Sequence, residues 1–147
     1  MSLKEKLAED LKSSMKNKDV VRKNTVQLVR TAILQVEKDK KVTLEDEDIL
    51  EVIAKQLKQR KDSLPEYEKS GREDLISQLK QEMEVLMEYL PEQLSEEELR
   101  PIVEETVREV GAESMKDMGK VMAAVMPKVK GRADGKAISE IAKSLFN

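Results

Sequence analysis

Apolar residues recur at helical spacing along the whole chain. Leu3, Leu7, Leu11 and Met15 fall every four residues and predict a first helix, opened by the Ser2/Glu5 capping pair. Asn17-Lys18-Asp19 is a short turn. Val21, Thr25, Leu28, Val29, Ala32, Ile33 and Val36 alternate steps of three and four, which predicts a second helix broken between Asp39 and Val42. Thr43 and Asp46 open a third, with acids crowding its first turn as the helix dipole favours and Ile49, Val52, Ile53 and Leu57 inward. Ser63 and Glu66 offer another capping box around Pro65, so this helix is expected to stop or bend near Asp62. Leu75, Leu79, Met83, Leu86 and Leu90 form the stripe of a fourth helix after Gly71.

Leu90-Pro91-Glu92-Gln93-Leu94 is the best boundary, because proline cannot continue the helix and Ser95 with Glu98 caps a new one. Leu99, Ile102, Val103, Val107 and Val110 form the next face, ended at Gly111. Ser114 or Asp117 caps a sixth helix ending around Pro127. Gly131 to Gly135 is a turn with Asp134 as N-cap, and Ala137, Ile138, Ile141 and Leu145 give the last helix. The expected fold is all-α: an N-terminal four-helix unit over residues 1–94, then a C-terminal three-helix bundle over 95–147.

Composition narrows the chemistry. Aromatics are 2% of the chain, which argues against a β-sandwich or barrel and against a base-stacking platform. With no His and no Cys, imidazole catalysis, thiol chemistry, disulfides and the usual zinc or haem ligand sets are excluded. No catalytic residue, metal site or cofactor is expected. No stretch approaches the ~20 apolar residues of a membrane helix. The N-terminus, with Lys4, Glu5, Lys6, Glu9 and Asp10, lacks a signal-peptide core and is too acidic for a transit peptide, so a cytoplasmic location is expected.

Charge is uneven under a net of −3. Residues 114–147 carry seven basic and three acidic side chains, a local net of +4. Lys128, Lys130, Arg132 and Lys136 surround Gly131 and Gly135, where backbone N–H groups and a helix start offer phosphate contacts. Asp134 works against this by capping that helix start. Met115, Met118, Met122 and Met126 are spaced as one helix face, which serves either as core or as an adaptable surface for a partner helix. Lys55, Lys58, Arg60 and Lys61 read as a phosphate-contacting ridge or, in preference, as a solvated face. Glu96-Glu97-Glu98 point in different directions on a helix and cannot close on one ion.

At these residues the sequence resembles the YqeY-like family. The resemblance rests on Asp117-Met118-Gly119-Lys120-Val121-Met122 and Met126 to Gly135. Upstream, Lys58 to Ser63, Arg72-Glu73-Asp74-Leu75 and Tyr89 to Leu99 follow in the family's order. Ala123 stands where the family commonly has Gly. The family in turn resembles the tail of GatB, the B subunit of the tRNA-dependent amidotransferase, a helical appendage that contacts tRNA while the chemistry sits in another domain. The resemblance implies four helices plus three, lends RNA contact to Gly119, Lys120, Lys128, Lys130, Gly131, Arg132 and Gly135, to which the local charge adds Lys136, and lends no catalytic residue.

Three functions follow as expectations. The first is a non-catalytic tRNA-binding or translation-associated accessory module, with no DNA and no membrane partner. The second is a protein-interaction adaptor docking through Met115, Met118, Met122 and Met126, on an aminoacyl-tRNA synthetase or an amidotransferase component. The third, disfavoured by the missing His and Cys, is carbon–nitrogen ligase activity with glutamine as donor within an amidotransferase complex.

Overall fold

A computed structural model of the chain describes residues 1–146; Asn147, the last residue of the expected second unit, lies outside them. Among the described residues there is no strand, and the fold is all-α. The chain divides into two compact units, Met1–Leu90 and Pro91–Asn147.

The first unit holds α1 (Leu3–Lys16), α2 (Val20–Lys40), α3 (Asp46–Ser70) and α4 (Glu73–Tyr89). Ser2 Oγ accepts from the Glu5 N–H and Asp19 Oδ1 from the Arg22 N–H, so each of the first two helices starts on a side-chain cap. The core joins Leu7 of α1, Val26, Val29 and Ile33 of α2, Ile49, Ile53 and Leu57 of α3, and Val85 and Leu86 of α4. At its edge the Tyr89 hydroxyl donates to Asp10 and Lys6 lies over the Tyr89 ring, 5.2 Å from its centroid. Burial, and then the Asp10 bond, push the Tyr89 hydroxyl pKa up.

The inward faces are turned slightly from those expected. Met15 and Leu28 are exposed, and Ser14 and Val26 take the buried positions. Leu75 is exposed and Ile76 buried. Where two neighbouring residues could each face inward, helix packing chooses between them.

α3 does not stop near Asp62 but runs through Pro65 to Ser70. Ser63 does not cap a new helix: its hydroxyl donates to the Gln59 carbonyl, one turn back along α3. Proline forfeits one backbone bond there, on a stretch where Leu64 is half-buried and Pro65 to Ser70 are exposed. The start of α3 is set by Glu45 and Asp48, each accepting from the other's end of the first turn, rather than by Thr43.

The second unit holds α5 (Glu96–Val110), a single 3-10 turn (Met115–Asp117), α6 (Met118–Val129) and α7 (Gly135–Leu145). Ser95 and Glu98 close the expected capping box of α5. The core stacks Leu99 and Val103 of α5 against Val121, Val125 and Val129 of α6 and Ile138, Ile141 and Ala142 of α7. Full burial of side chains this size contributes about 1.5–3 kcal/mol each. Pro127 stays inside α6, which ends at Val129.

Candidate nucleic-acid and partner interface

The segment from Met118 to Ala133 contains no acidic residue. Its inner side is consumed by the core, since Val121, Val125 and Val129 are fully buried at steps of four. The outer side of α6 is left to Gly119, Lys120, Ala123, Met126 and Pro127, all exposed.

The candidate cations divide by environment. Lys128 turns toward α5, where Nζ donates to Thr106 Oγ1 at 2.9 Å and to Glu109 Oε2 at 2.7 Å. Thr106 is fully buried and its hydroxyl in turn donates to the Ile102 carbonyl, so Lys128 completes a buried polar contact between α5 and α6. Arg132 donates from Nε to the Glu92 carbonyl at 3.1 Å. Lys120 and Lys136 are exposed on α6 and α7, and Lys130 is exposed at the end of α6. Lys120 also lies near Asp117, whose carboxyl is held below the ordinary range first by the Glu113 N–H and then by Lys120.

The turn between α6 and α7 is a structural clasp. Gly131 adopts φ +75°, a left-handed conformation that costs a side-chain-bearing residue about 1–2 kcal/mol. Its carbonyl accepts from Gln93 Nε2 at 2.7 Å, and the Arg132 carbonyl accepts from the Leu94 N–H at 2.8 Å. The segment 91–94, the expected boundary, is thereby bound to the turn. The signal for it was Leu94, an apolar residue outside any helix stripe, which packs on the second core. Gly135 opens α7, and Asp134 Oδ1 accepts from the Ala137 N–H at 2.8 Å, placing a carboxylate where a phosphate would otherwise sit.

The methionines divide too. Met118 and Met122 pack against the core, whereas Met115 and Met126 are 47% and 41% exposed. Among the described residues no group of three or more acids is placed to hold a metal ion, and no helix is long and apolar enough to cross a membrane.

The family model of the Yqey-like protein matches residues 4–146. The chain belongs to the YqeY-like family. Curated relatives of this YqeY-like chain include the Altered inheritance of mitochondria protein 41, mitochondrial, of Kluyveromyces lactis. It is 42% identical over 84 residues, which are 56% of this chain and 45% of the relative. The protein of the same name from Vanderwaltozyma polyspora is 38% identical over 85 residues, 57% of this chain and 46% of its own. An uncharacterized protein of Schizosaccharomyces pombe is 30% identical over 93 residues, 63% of this chain and 72% of its own. This chain spans about half the length of the mitochondrial relatives it matches.

Those names correct the expected cytoplasmic location, which conflicts with relatives named as mitochondrial proteins. The expectation rests on the missing signal-peptide core and the acidic residues near Met1. Organelle addresses are separate segments read by receptors, so charge within the folded helices does not decide compartment.

Proposed function

We propose that this YqeY-like chain is a non-catalytic accessory module that works by binding, and that its second unit takes tRNA through phosphate contacts. The observation that carries the reading is the acid-free run from Met118 to Ala133, with Lys120 and Lys130 exposed toward the two ends of α6. Ten residues of helix separate them by ~15 Å. Lys136 adds an exposed charge at the start of α7. The resemblance to the amidotransferase tail favours tRNA among polyanions.

Recognition on this reading is by charge and shape. Phe146, the aromatic residue of this unit, is partly buried against the core, so base stacking plays no part. Lys128 and Arg132 support the fold beneath the binding groups, and the exposed lysines touch the phosphates.

The test is a titration of total tRNA against the full chain at two salt concentrations. Affinity should fall steeply with salt. Lys120→Glu combined with Lys136→Glu should abolish most of the binding while helicity is kept. A parent protein that ignores tRNA at both salt concentrations would sink the reading.

Exposure of Met115 and Met126 favours a second reading, a protein adaptor docking on a synthetase or an amidotransferase component. Apolar docking would survive added salt.

A further inference from the structure

We propose that two copies of this chain pair through the outward face of α2, antiparallel about a two-fold axis at Thr31. The surface lies in the first unit, so the inference does not depend on the tRNA reading of the second.

Leu28 and Leu34 are 52% and 66% exposed, and Val20 and Val42, at the two ends of the helix, are exposed as well. Among the described residues no other Leu, Ile or Val is as exposed as Leu34. The face around them is poor in charge. Of the seven exposed residues from Asn24 to Gln35 only Arg30 is charged, in a chain where 39% of residues are. Arg30 lies to one side, lining a shallow cavity with Lys4 and Leu7 of α1. A solvated helix face ordinarily carries charged residues, and their depletion marks the centre of a protein interface.

The order of residues along this face says what covers it. An antiparallel two-fold contact sets each residue against the one equally far beyond the axis. About Thr31 the face reads alike in both directions. Leu28 and Leu34 stand three positions away, Gln27 and Gln35 four, and Val20 and Val42 eleven. At about 100° per residue the glutamines lie about 40° to either side of Thr31 and the leucines about 60°. Each pair therefore meets in one layer across the axis.

Charge agrees with the same axis. Eight positions out, Lys23 stands against Asp39 of the second copy, and the symmetry makes this contact twice. Gln35 Nε2 donates to Asp39 Oδ1 at 2.9 Å, which orients that carboxylate. Lys38, seven positions out, meets the uncharged Asn24. A parallel pair would set Lys23 against Lys23 and Asp39 against Asp39. Thr31, Gln27 and Gln35 at the centre fix the register at a cost in affinity. A nucleic acid would find amides and leucines where it needs cations.

A helix of 21 residues is about 30 Å long, so one helix pair makes a small interface and the dimer is a transient one. Sedimentation velocity on the full chain from about 1 µM to about 500 µM should show monomer passing to dimer. Leu34→Glu, with helicity checked by circular dichroism, should weaken dimerisation roughly tenfold or more. Lys23→Glu and Asp39→Lys should each weaken it about threefold, and together they should restore it. The chain has no cysteine, so Thr31→Cys alone reports the axis. Mild oxidation should link two copies of that variant, whereas Lys55→Cys, exposed on α3, should stay unlinked. A chain that remains monomeric at every concentration overturns the proposal. So does a dimer indifferent to Leu34→Glu, a charge exchange that restores nothing, or cross-linking as ready through Lys55→Cys as through Thr31→Cys.

Discussion

Gln93 and Gly131, 38 positions apart in sequence, are joined by a hydrogen bond of 2.7 Å from the side-chain amide to the carbonyl oxygen. The same amide nitrogen reaches the Pro91 carbonyl at 3.0 Å, so one side chain holds a short non-helical segment to the turn between α6 and α7. Gln93→Ala should cost the second unit about 1 kcal/mol, the ordinary net worth of such a contact. Gly131→Ala should cost about 1–2 kcal/mol through its left-handed backbone. Urea denaturation followed by circular dichroism measures both, and a Gly131→Ala variant as stable as the parent would contradict the account of the clasp.

Acid should loosen the first unit. The Glu37 carboxyl is held below its ordinary range, first by Lys4, whose Nζ lies 2.6 Å away, and then by the Leu44 N–H. Glu88 is lowered by Arg22, 2.7 Å away. A carboxylate depressed in the folded state stabilises it above the unfolded pKa of about 4.3, and the contribution is lost as pH falls through the folded value. Thermal midpoints should therefore drop below about pH 4.3, and Glu37→Gln should flatten part of that acid limb.

The alkaline limb has the opposite sign. Burial and Asp10 raise the Tyr89 pKa, so the neutral phenol stabilises the fold below the unfolded value of about 10 and that contribution is lost as pH rises beyond it. Tyr89→Phe should make stability less dependent on pH above about 10, measured by the same thermal scans.

Features set by near neighbours in sequence were legible, and features set across the chain were not. Ser95 with Glu98 and Ser63 with Glu66 share one spacing, yet the first pair caps α5 and the second lies inside α3. The signature is local and the same in both places, but the Ser63 hydroxyl bonds back to the Gln59 carbonyl instead of forward to a helix start. Leu75 and Ile76 are equally apolar neighbours, so the burial of Ile76 follows from the angle at which α4 meets the core. At the candidate site the acid-free run was readable as charge. The partners of Lys128 lie 22 and 19 positions away, and no spacing rule reaches them.

The separation of roles among the lysines gives the sharpest test of the site. Lys128 holds a buried hydroxyl and a carboxylate on α5. Lys128→Met keeps the aliphatic stem and removes the ammonium that bridges Thr106 and Glu109, while the Thr106 hydroxyl keeps its bond to the Ile102 carbonyl. The expected cost is about 0.5–1.5 kcal/mol of stability, the ordinary net worth of a hydrogen bond, with little change in the salt dependence of tRNA binding. Thr106→Val with Lys128→Met should cost less than the sum of the two single changes, because the two side chains share one hydrogen bond. Lys120→Ala should do the reverse. Its side chain is exposed beside Asp117, so stability should move by no more than about 0.5 kcal/mol. The slope of log affinity against log salt should shrink by about 1, the signature of one lost phosphate contact. Denaturation curves and salt titrations on the same two variants read these effects separately. A Lys128→Met protein with native stability and a reduced salt slope would return Lys128 to the binding surface and remove it from the fold.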